Sequence, residues 1–115
     1  MKLDLSRQLY ISRTAPFSPE RNTLFVMGKM AEENGEIATT IIQPYRCKET
    51  VFGECADYIN CIVDLLRLTV KDQSYGKLTD EEIDKYVQEE LQYQLDMKSS
   101  KWAQKVNANM CDMDK

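Results

Sequence analysis

Apolar residues recur three and four positions apart along three stretches of this sequence, and this spacing constrains the fold more than any other feature. The stretches cover residues 18–43, 49–73 and 79–106. Side chains with this spacing share one face of an α-helix, whereas a β-strand would need strict alternation, which is absent. The sequence therefore predicts an all-α fold: a helical bundle of three to four helices with antiparallel neighbours.

Local signals predict where these helices begin and end. Ser18-Pro19-Glu20 combines a capping Ser with a Pro at the first helical position, which is typical of a helix start. Pro44 should end that helix, and a second should begin near Thr50. Gln73-Ser74-Tyr75-Gly76 should break the second helix. Thr79 and Glu82 have the spacing of a capping box, which predicts the start of the third.

The 115 residues suffice for one domain. We expect an N-terminal arm at residues 1–17, a helical domain at residues 18–106 and a disordered tail at residues 107–115. The second stretch is apolar on more than one side, and a chain this small cannot cover such a helix alone. We therefore expect the chain to associate with copies of itself.

Charge and hydropathy exclude several classes of protein. The net charge is −4, whereas binding along nucleic acid requires clustered Lys and Arg, so we expect no nucleic-acid partner. No apolar run approaches the roughly 20 residues that span a bilayer, and the charged N-terminus lacks the apolar core of a signal peptide. These features predict a soluble, cytoplasmic protein without a membrane partner.

The sequence contains four Cys and no His. Without His or a CxxC pair a zinc site is disfavoured, and we expect reduced thiols. The absence of His also removes Ser-His and Cys-His nucleophile pairs, together with the commonest general base. An enzyme built from this chain must therefore use carboxylates and a metal.

Two pairs of acids stand in the first two helical stretches. Glu33 and Glu36 are three residues apart, as are Glu54 and Asp57, so each pair shares one helix face. If the two helices pack antiparallel, the pairs converge into a cluster of four carboxylates. Such a cluster repels itself unless a cation lies between the acids. Hard oxygen ligands select magnesium, calcium or manganese.

The alternative is that these acids form a solvated helix face. Apolar neighbours such as Ile37 and Cys55, together with the scarcity of basic residues in the second helix, favour the metal site. The acids of the third stretch, by contrast, lie on a polar face and indicate only solvation.

The acids form the pattern EExxE, at Glu32-Glu33-Asn34-Gly35-Glu36, followed by ExxD, at Glu54-Cys55-Ala56-Asp57. With this pattern of acids, the sequence resembles the MazG-like, all-α nucleoside triphosphate pyrophosphohydrolase superfamily. That group also includes dimeric dUTPases, dCTP pyrophosphatases and phosphoribosyl-ATP pyrophosphohydrolases. The resemblance covers about residues 19–70.

The resemblance implies a reaction that releases a nucleoside monophosphate and pyrophosphate. It implies that Glu33, Glu36, Glu54 and Asp57 coordinate Mg²⁺, for which Mn²⁺ substitutes, and that Glu32 is an auxiliary ligand or orients water. The nucleoside triphosphate substrate would be cleaved by attack of a metal-activated water. The resemblance also implies a tightly packed dimer or tetramer.

Four polar residues are candidates for substrate binding. Lys29, one turn before Glu33, and Lys98 and Lys101 in the third helix are candidate phosphate contacts, although lysines late in a helix also suit its C-terminal end. Asn60, one turn past Asp57, is a candidate for hydrogen bonding to substrate or for a structural hydrogen bond.

Two alternative functions remain. One is a narrower dUTPase or dCTP pyrophosphatase. The other is a non-catalytic helical oligomerisation or adaptor module, in which the acids are structural.

Overall fold

The computed structural model describes residues 2–15 and 21–113, with side chains up to residue 108. Within these ranges the chain is helical and contains no strand, so the all-α prediction is confirmed. The elements are α1 (Ser6–Thr14), α2 (Thr23–Ile42), a short 3-10 helix (Pro44–Arg46), α3 (Val51–Gln73) and α4 (Asp80–Met113).

Several predicted helix boundaries are confirmed by the caps that form them. The α2 helix ends at Ile42, two residues before Pro44. Thr50 caps α3, where its side chain accepts a hydrogen bond from the backbone N–H of Gly53 at 3.2 Å. The capping box of α4 is closed in both directions, because the Glu82 N–H donates to the Thr79 hydroxyl at 3.1 Å and the Thr79 N–H donates to Glu82 at 3.0 Å.

The start of α2 differs from the predicted one. Ser18-Pro19-Glu20 lies outside the described residues, but Arg21 and Asn22 are not helical. Asn22 is instead the cap, and its side chain accepts a hydrogen bond from the Phe25 N–H at 2.9 Å. An Asn satisfies the free N–H groups of the first turn as well as Ser does, so a second capping signal four residues later determines the start.

Two helical regions extend beyond the predicted domain. The segment expected to be an arm contains α1, whose Leu5 and Leu9 are buried. At the other end α4 continues to Met113, past the boundary expected at Val106.

The hydrophobic core lies between α1, α3 and α4. Five buried residues form it: Leu5, Leu9, Val63, Ile83 and Val87. The N-terminal segment is held to α4 by Gln88, which accepts the Leu5 N–H at 2.7 Å and donates to the Leu3 carbonyl at 2.6 Å. The α2 helix packs against α3 and makes no direct contact with α4 in the described part of the chain. Thus α3 is the central helix, shared by the core and by the α2–α3 pair.

Large apolar side chains remain exposed on α2. Leu24, Met27, Ile41 and Ile42 are each more than half exposed, although α2 is closely packed against α3. On α4, Trp102 is also exposed, in the region after Leu95 that leaves the bundle. A helix with apolar residues on its outward face needs a further partner to bury them.

Among the described residues, no helix combines the length and the apolar character needed to cross a membrane. Cys47, Cys55 and Cys61 are free thiols, as expected for three of the four cysteines. Cys111 belongs to the residues whose side chains are not described.

Candidate metal centre

The α2–α3 pair brings carboxylates from both helices into one cluster. Carboxylate oxygens of Glu33, Glu36 and Glu54 all lie within 4.8 Å of one another. A second group, with the same limit, joins Glu54 to Asp57 and Glu49. Glu54 belongs to both groups, so the four acids predicted as metal ligands converge around this residue. We call these five residues the acid cluster.

Glu54 is the most buried member of the acid cluster. It is 8% exposed, and one carboxylate oxygen, Oε2, is buried without a hydrogen-bond partner; the Oε2 of Glu33 is in the same condition. A buried carboxylate without a donor is costly, because the lost hydration is not replaced. The cluster thus requires either protons or a cation between its oxygens.

The pKa values reflect this requirement. The pKa of Glu54 is raised to about 7, first by a hydrogen bond that it shares with Glu36, then by burial, and then by the negative charges of Glu36, Glu49 and Glu33. Burial, followed by the charge of Glu36, also raises the pKa of Glu33. Without a cation, the acid cluster therefore retains a proton up to near-neutral pH. A divalent ion would replace this proton and the missing donors together.

Glu49 is a member of the cluster that the sequence analysis missed. It lies in the connection between α2 and α3, immediately before the cap Thr50. Its carboxylate lies over the first turn of α3: a Cβ added at Gly53 would be 3.6 Å from the Oε2 of Glu49. The signal that could have found it is an acid placed just before a capping Thr, five residues from Glu54. The EExxE…ExxD pattern does not include this position.

Glu32 does not join the cluster. Its side chain is 65% exposed and pairs with the Lys29 ammonium at 3.4 Å along the surface of α2. Adjacent helix positions point about 100° apart, so Glu32 and Glu33 cannot both face α3. The structure therefore gives Glu32 a solvent-facing position at the edge of the cluster.

Lys29 and Asn60 border a cavity next to the acid cluster. The cavity has a volume of about 440 Å³ and lies between α1, α2 and α3, with Phe25 and Cys61 also in its wall. The pKa of the Cys61 thiol is raised, first by burial and then by the negative charges of Glu33 and Asp57, which shows how near the cavity is to the acids. Two of the four predicted substrate-binding residues, Lys29 and Asn60, thus lie beside one concave site.

Lys98 and Lys101 are placed differently. Both are exposed on the part of α4 that leaves the bundle, and α4 does not pack against α2. Within one chain, the structure does not bring these lysines to the acid cluster.

Comparisons with known proteins give no family for this chain. A scan against protein-family models, a search of curated proteins and a search of solved structures each return no match.

Proposed function

We propose that this chain is a magnesium-dependent nucleoside triphosphate pyrophosphohydrolase of the MazG-like kind, which converts NTP or dNTP and water into NMP or dNMP and pyrophosphate. The observation that carries the proposal is the burial of Glu54 among other carboxylates, with no basic residue hydrogen-bonded to it in the described part of the chain. An uncompensated buried acid is retained where a bound cation supplies the missing charge.

The donor set fits magnesium. All the available ligand atoms are carboxylate oxygens, which suit hard divalent cations, and the described cluster contains no His or thiolate ligand that would favour zinc. Glu33, Glu36, Glu54 and Asp57 would hold the ion, and Glu49 is added to the proposed ligands. Manganese has similar preferences and is expected to substitute.

Bound magnesium would neutralise charge on the phosphates and lower the pKa of a water molecule. The chain's own residues would do the rest. Lys29, beside the cluster, would contact a phosphate oxygen. Glu32, which lies at the cluster's edge and is not a proposed ligand, would accept the proton of the attacking water. The new P–O bond forms as the bond between the α- and β-phosphates breaks, and pyrophosphate leaves.

The proposal is tested by measuring monophosphate and pyrophosphate from a panel of nucleoside triphosphates with magnesium. We expect Glu54→Gln to lower kcat/KM about hundredfold or more, because the amide keeps the shape but loses the ligand charge. Glu81→Gln, at an exposed acid of α4, is the matched control and should retain wild-type activity. Wild-type protein that is folded and converts no nucleotide would contradict the proposal.

The same panel separates a broad enzyme from a narrow one. Turnover confined to dUTP or dCTP would identify the narrower pyrophosphatase. Turnover of several triphosphates would support a role in nucleotide-pool control or house-cleaning. Such an enzyme would work in the cytoplasm, where its substrates are made.

The second candidate, an oligomerisation or adaptor module, is favoured by the exposed apolar residues of α2. Self-association also belongs to the main proposal, as a homodimer or homotetramer, so sedimentation measurements alone do not separate the two. Magnesium does: an adaptor whose acids are structural would associate equally well after Glu36→Ala and would not be stabilised by the ion.

A further inference from the structure

We infer that the cavity between α1, α2 and α3 receives the nucleoside part of the substrate, and that Asn60 hydrogen-bonds the base. This inference rests on the proposed function and specifies what it leaves open, namely how the base is contacted. We call this space the α1 cavity, because α1 closes one side of it.

The position of the α1 cavity is the first argument. Lys29 stands four residues before Glu33 on α2, and Asn60 stands three residues after Asp57 on α3, so each is one helical turn from the acid cluster. A triphosphate held at the cluster would extend its nucleoside by a comparable distance. Lys29 borders the cavity, where it would contact the phosphate chain.

The size and walls of the cavity are the second argument. Its volume of about 440 Å³ is within the range, roughly 300–1,000 Å³, of small-molecule sites. Phe25 offers an aromatic face that is 53% exposed, and the Lys29 ammonium lies 6.0 Å from its ring centre. Ile11 on α1 and Val26 on α2 add apolar surface. A flat aromatic base fits such walls better than a sugar or a phosphate does.

The polar groups of the cavity are either bonded within the chain or open to a ligand. Asp64 is bonded within the chain, because it accepts a hydrogen bond from the Ser12 hydroxyl at 2.6 Å and pairs with Arg21. These contacts fix α1 as the cavity wall. Asn60 is exposed to the cavity, and its amide has no hydrogen-bond partner among the described residues. The Asn60 amide is therefore available to a ligand.

The chemistry of an amide sets the expected specificity. Asn carries one acceptor and two donors and reverses them by rotating, so it pairs with the edge of either a purine or a pyrimidine. A carboxylate in its place only accepts. Among the common bases, guanine presents two adjacent N–H donors on its Watson–Crick edge, whereas uracil presents one donor beside a carbonyl. Asn60→Asp should therefore shift the preference towards guanine.

The experiment measures the affinities of GMP and UMP by titration calorimetry with magnesium; neither monophosphate has a bond between α- and β-phosphates, so the binding does not depend on hydrolysis. We expect Asn60→Asp to raise the ratio of GMP to UMP affinity about tenfold or more, since the carboxylate accepts from both donors of the guanine edge and from only one of uracil. Asn107→Asp, which places the same change on the exposed end of α4, should leave the ratio as in the wild type.

A second variant tests the cavity through a different contact. Phe25→Ala should weaken GMP and UMP alike, about fivefold or more, because stacking on an aromatic ring does not depend on the base. An unchanged affinity ratio in folded Asn60→Asp, or no monophosphate binding by the wild type, would overturn the inference.

Hydrolysis of triphosphates is then measured separately with magnesium. Hydrolysis with an unchanged affinity ratio would overturn the base assignment alone. A shifted ratio without hydrolysis would support the cavity as a nucleotide site and overturn the proposed reaction.

Discussion

The α3 helix carries two buried charged residues, Arg67 and Glu54, and their surroundings are opposite. Arg67 is 5% exposed and pairs with Asp80 and Asp84 of α4, the latter at 2.9 Å. Glu54 is 8% exposed, and its nearest charged neighbours are other carboxylates. One end of the helix thus compensates its buried charge within the chain, while at the other end no described residue compensates the charge of Glu54.

Under the proposed function, this difference separates a structural charge from a metal-binding one. Compensation of Arg67 joins α3 to the start of α4 and needs nothing from outside the protein. Glu54 raises the free energy of the metal-free fold, because burial and like charges both oppose its ionised form. If the proposed metal site is correct, these carboxylates are preorganised for a cation, which would stabilise the fold on binding.

The largest expected effect is the loss of the compensated charge. Arg67→Met should lower the free energy of unfolding by about 3 kcal/mol, because the half-buried Asp84 loses its closest partner. Denaturant unfolding measures this change. Lys85→Met is the matched control: its ion pair with Glu89 is exposed and 3.9 Å long, and its removal should change stability by less than about 0.5 kcal/mol. If both substitutions changed the free energy of unfolding equally, burial of the Arg67 ion pair would not contribute more to stability than the exposed pair of Lys85.

The next effect is stabilisation by the cation. Magnesium at a hundred times its dissociation constant should raise the free energy of unfolding by about 2.7 kcal/mol in the wild type. The measurement is thermal unfolding across a magnesium titration at constant ionic strength. Asp57→Asn, which removes one proposed ligand, should require much more magnesium for the same shift. If potassium stabilised the protein as well as magnesium, the cluster would be responding to ionic strength alone.

Much of the fold was predictable from the sequence, because local signals determine it. Apolar spacing predicts helices in the regions of α2, α3 and α4, and Thr50, Thr79 and Pro44 mark boundaries that the structure confirms. The α1 helix was not predicted, since nine residues with mixed polarity carry little periodicity. Its position depends on Leu5 and Leu9 meeting residues of α3 and α4, which are distant in the sequence.

The acid cluster was predictable for a similar reason and only in part. Pairs of acids three residues apart share a helix face, and a short connection makes the two helices neighbours. Glu49 lies outside the helices, so helical spacing gives no information about it. The sequence pattern groups Glu32 with Glu33, but a helix turns adjacent side chains apart. The α1 cavity depends on how three helices pack together, and the spacing of residues along one helix does not predict that packing.

A smaller effect is expected when the uncompensated charge is removed. Without metal at pH 8, Glu54→Gln should raise the melting temperature, by less than Arg67→Met lowers it, because the amide is neutral and donates hydrogen bonds to neighbouring carboxylates. The same substitution should abolish stabilisation by magnesium. Glu81→Gln, at an exposed acid, is the control and should change neither quantity. Destabilisation by Glu54→Gln would mean that the chain compensates Glu54 by itself.

The last effect is a dependence of stability on pH, which reports on the Glu54 end of α3. Because the pKa of Glu54 is raised from 4.5 to about 7, the folded protein holds a proton in this interval that the unfolded chain has released. Metal-free stability should therefore fall as the pH rises from about 4.5 through about 7 and then level off. Glu33, with its raised pKa, adds to the same trend.

Other carboxyls act in the opposite direction and at lower pH. Hydrogen bonds from Ser6 lower the pKa of Asp4, and those from Thr79 lower the pKa of Glu82, so their contributions are lost only as the pH falls through these lowered values. The change of stability between pH 5 and 8 thus reports on the acid cluster.

The measurement is chemical unfolding as a function of pH, with a chelator present. The free energy of unfolding should fall with rising pH for the wild type and should change less for Glu54→Gln. With magnesium the trend should reverse, since the ion binds deprotonated ligands. A wild-type curve that is flat with and without magnesium would show that Glu54 is as fully compensated as Arg67.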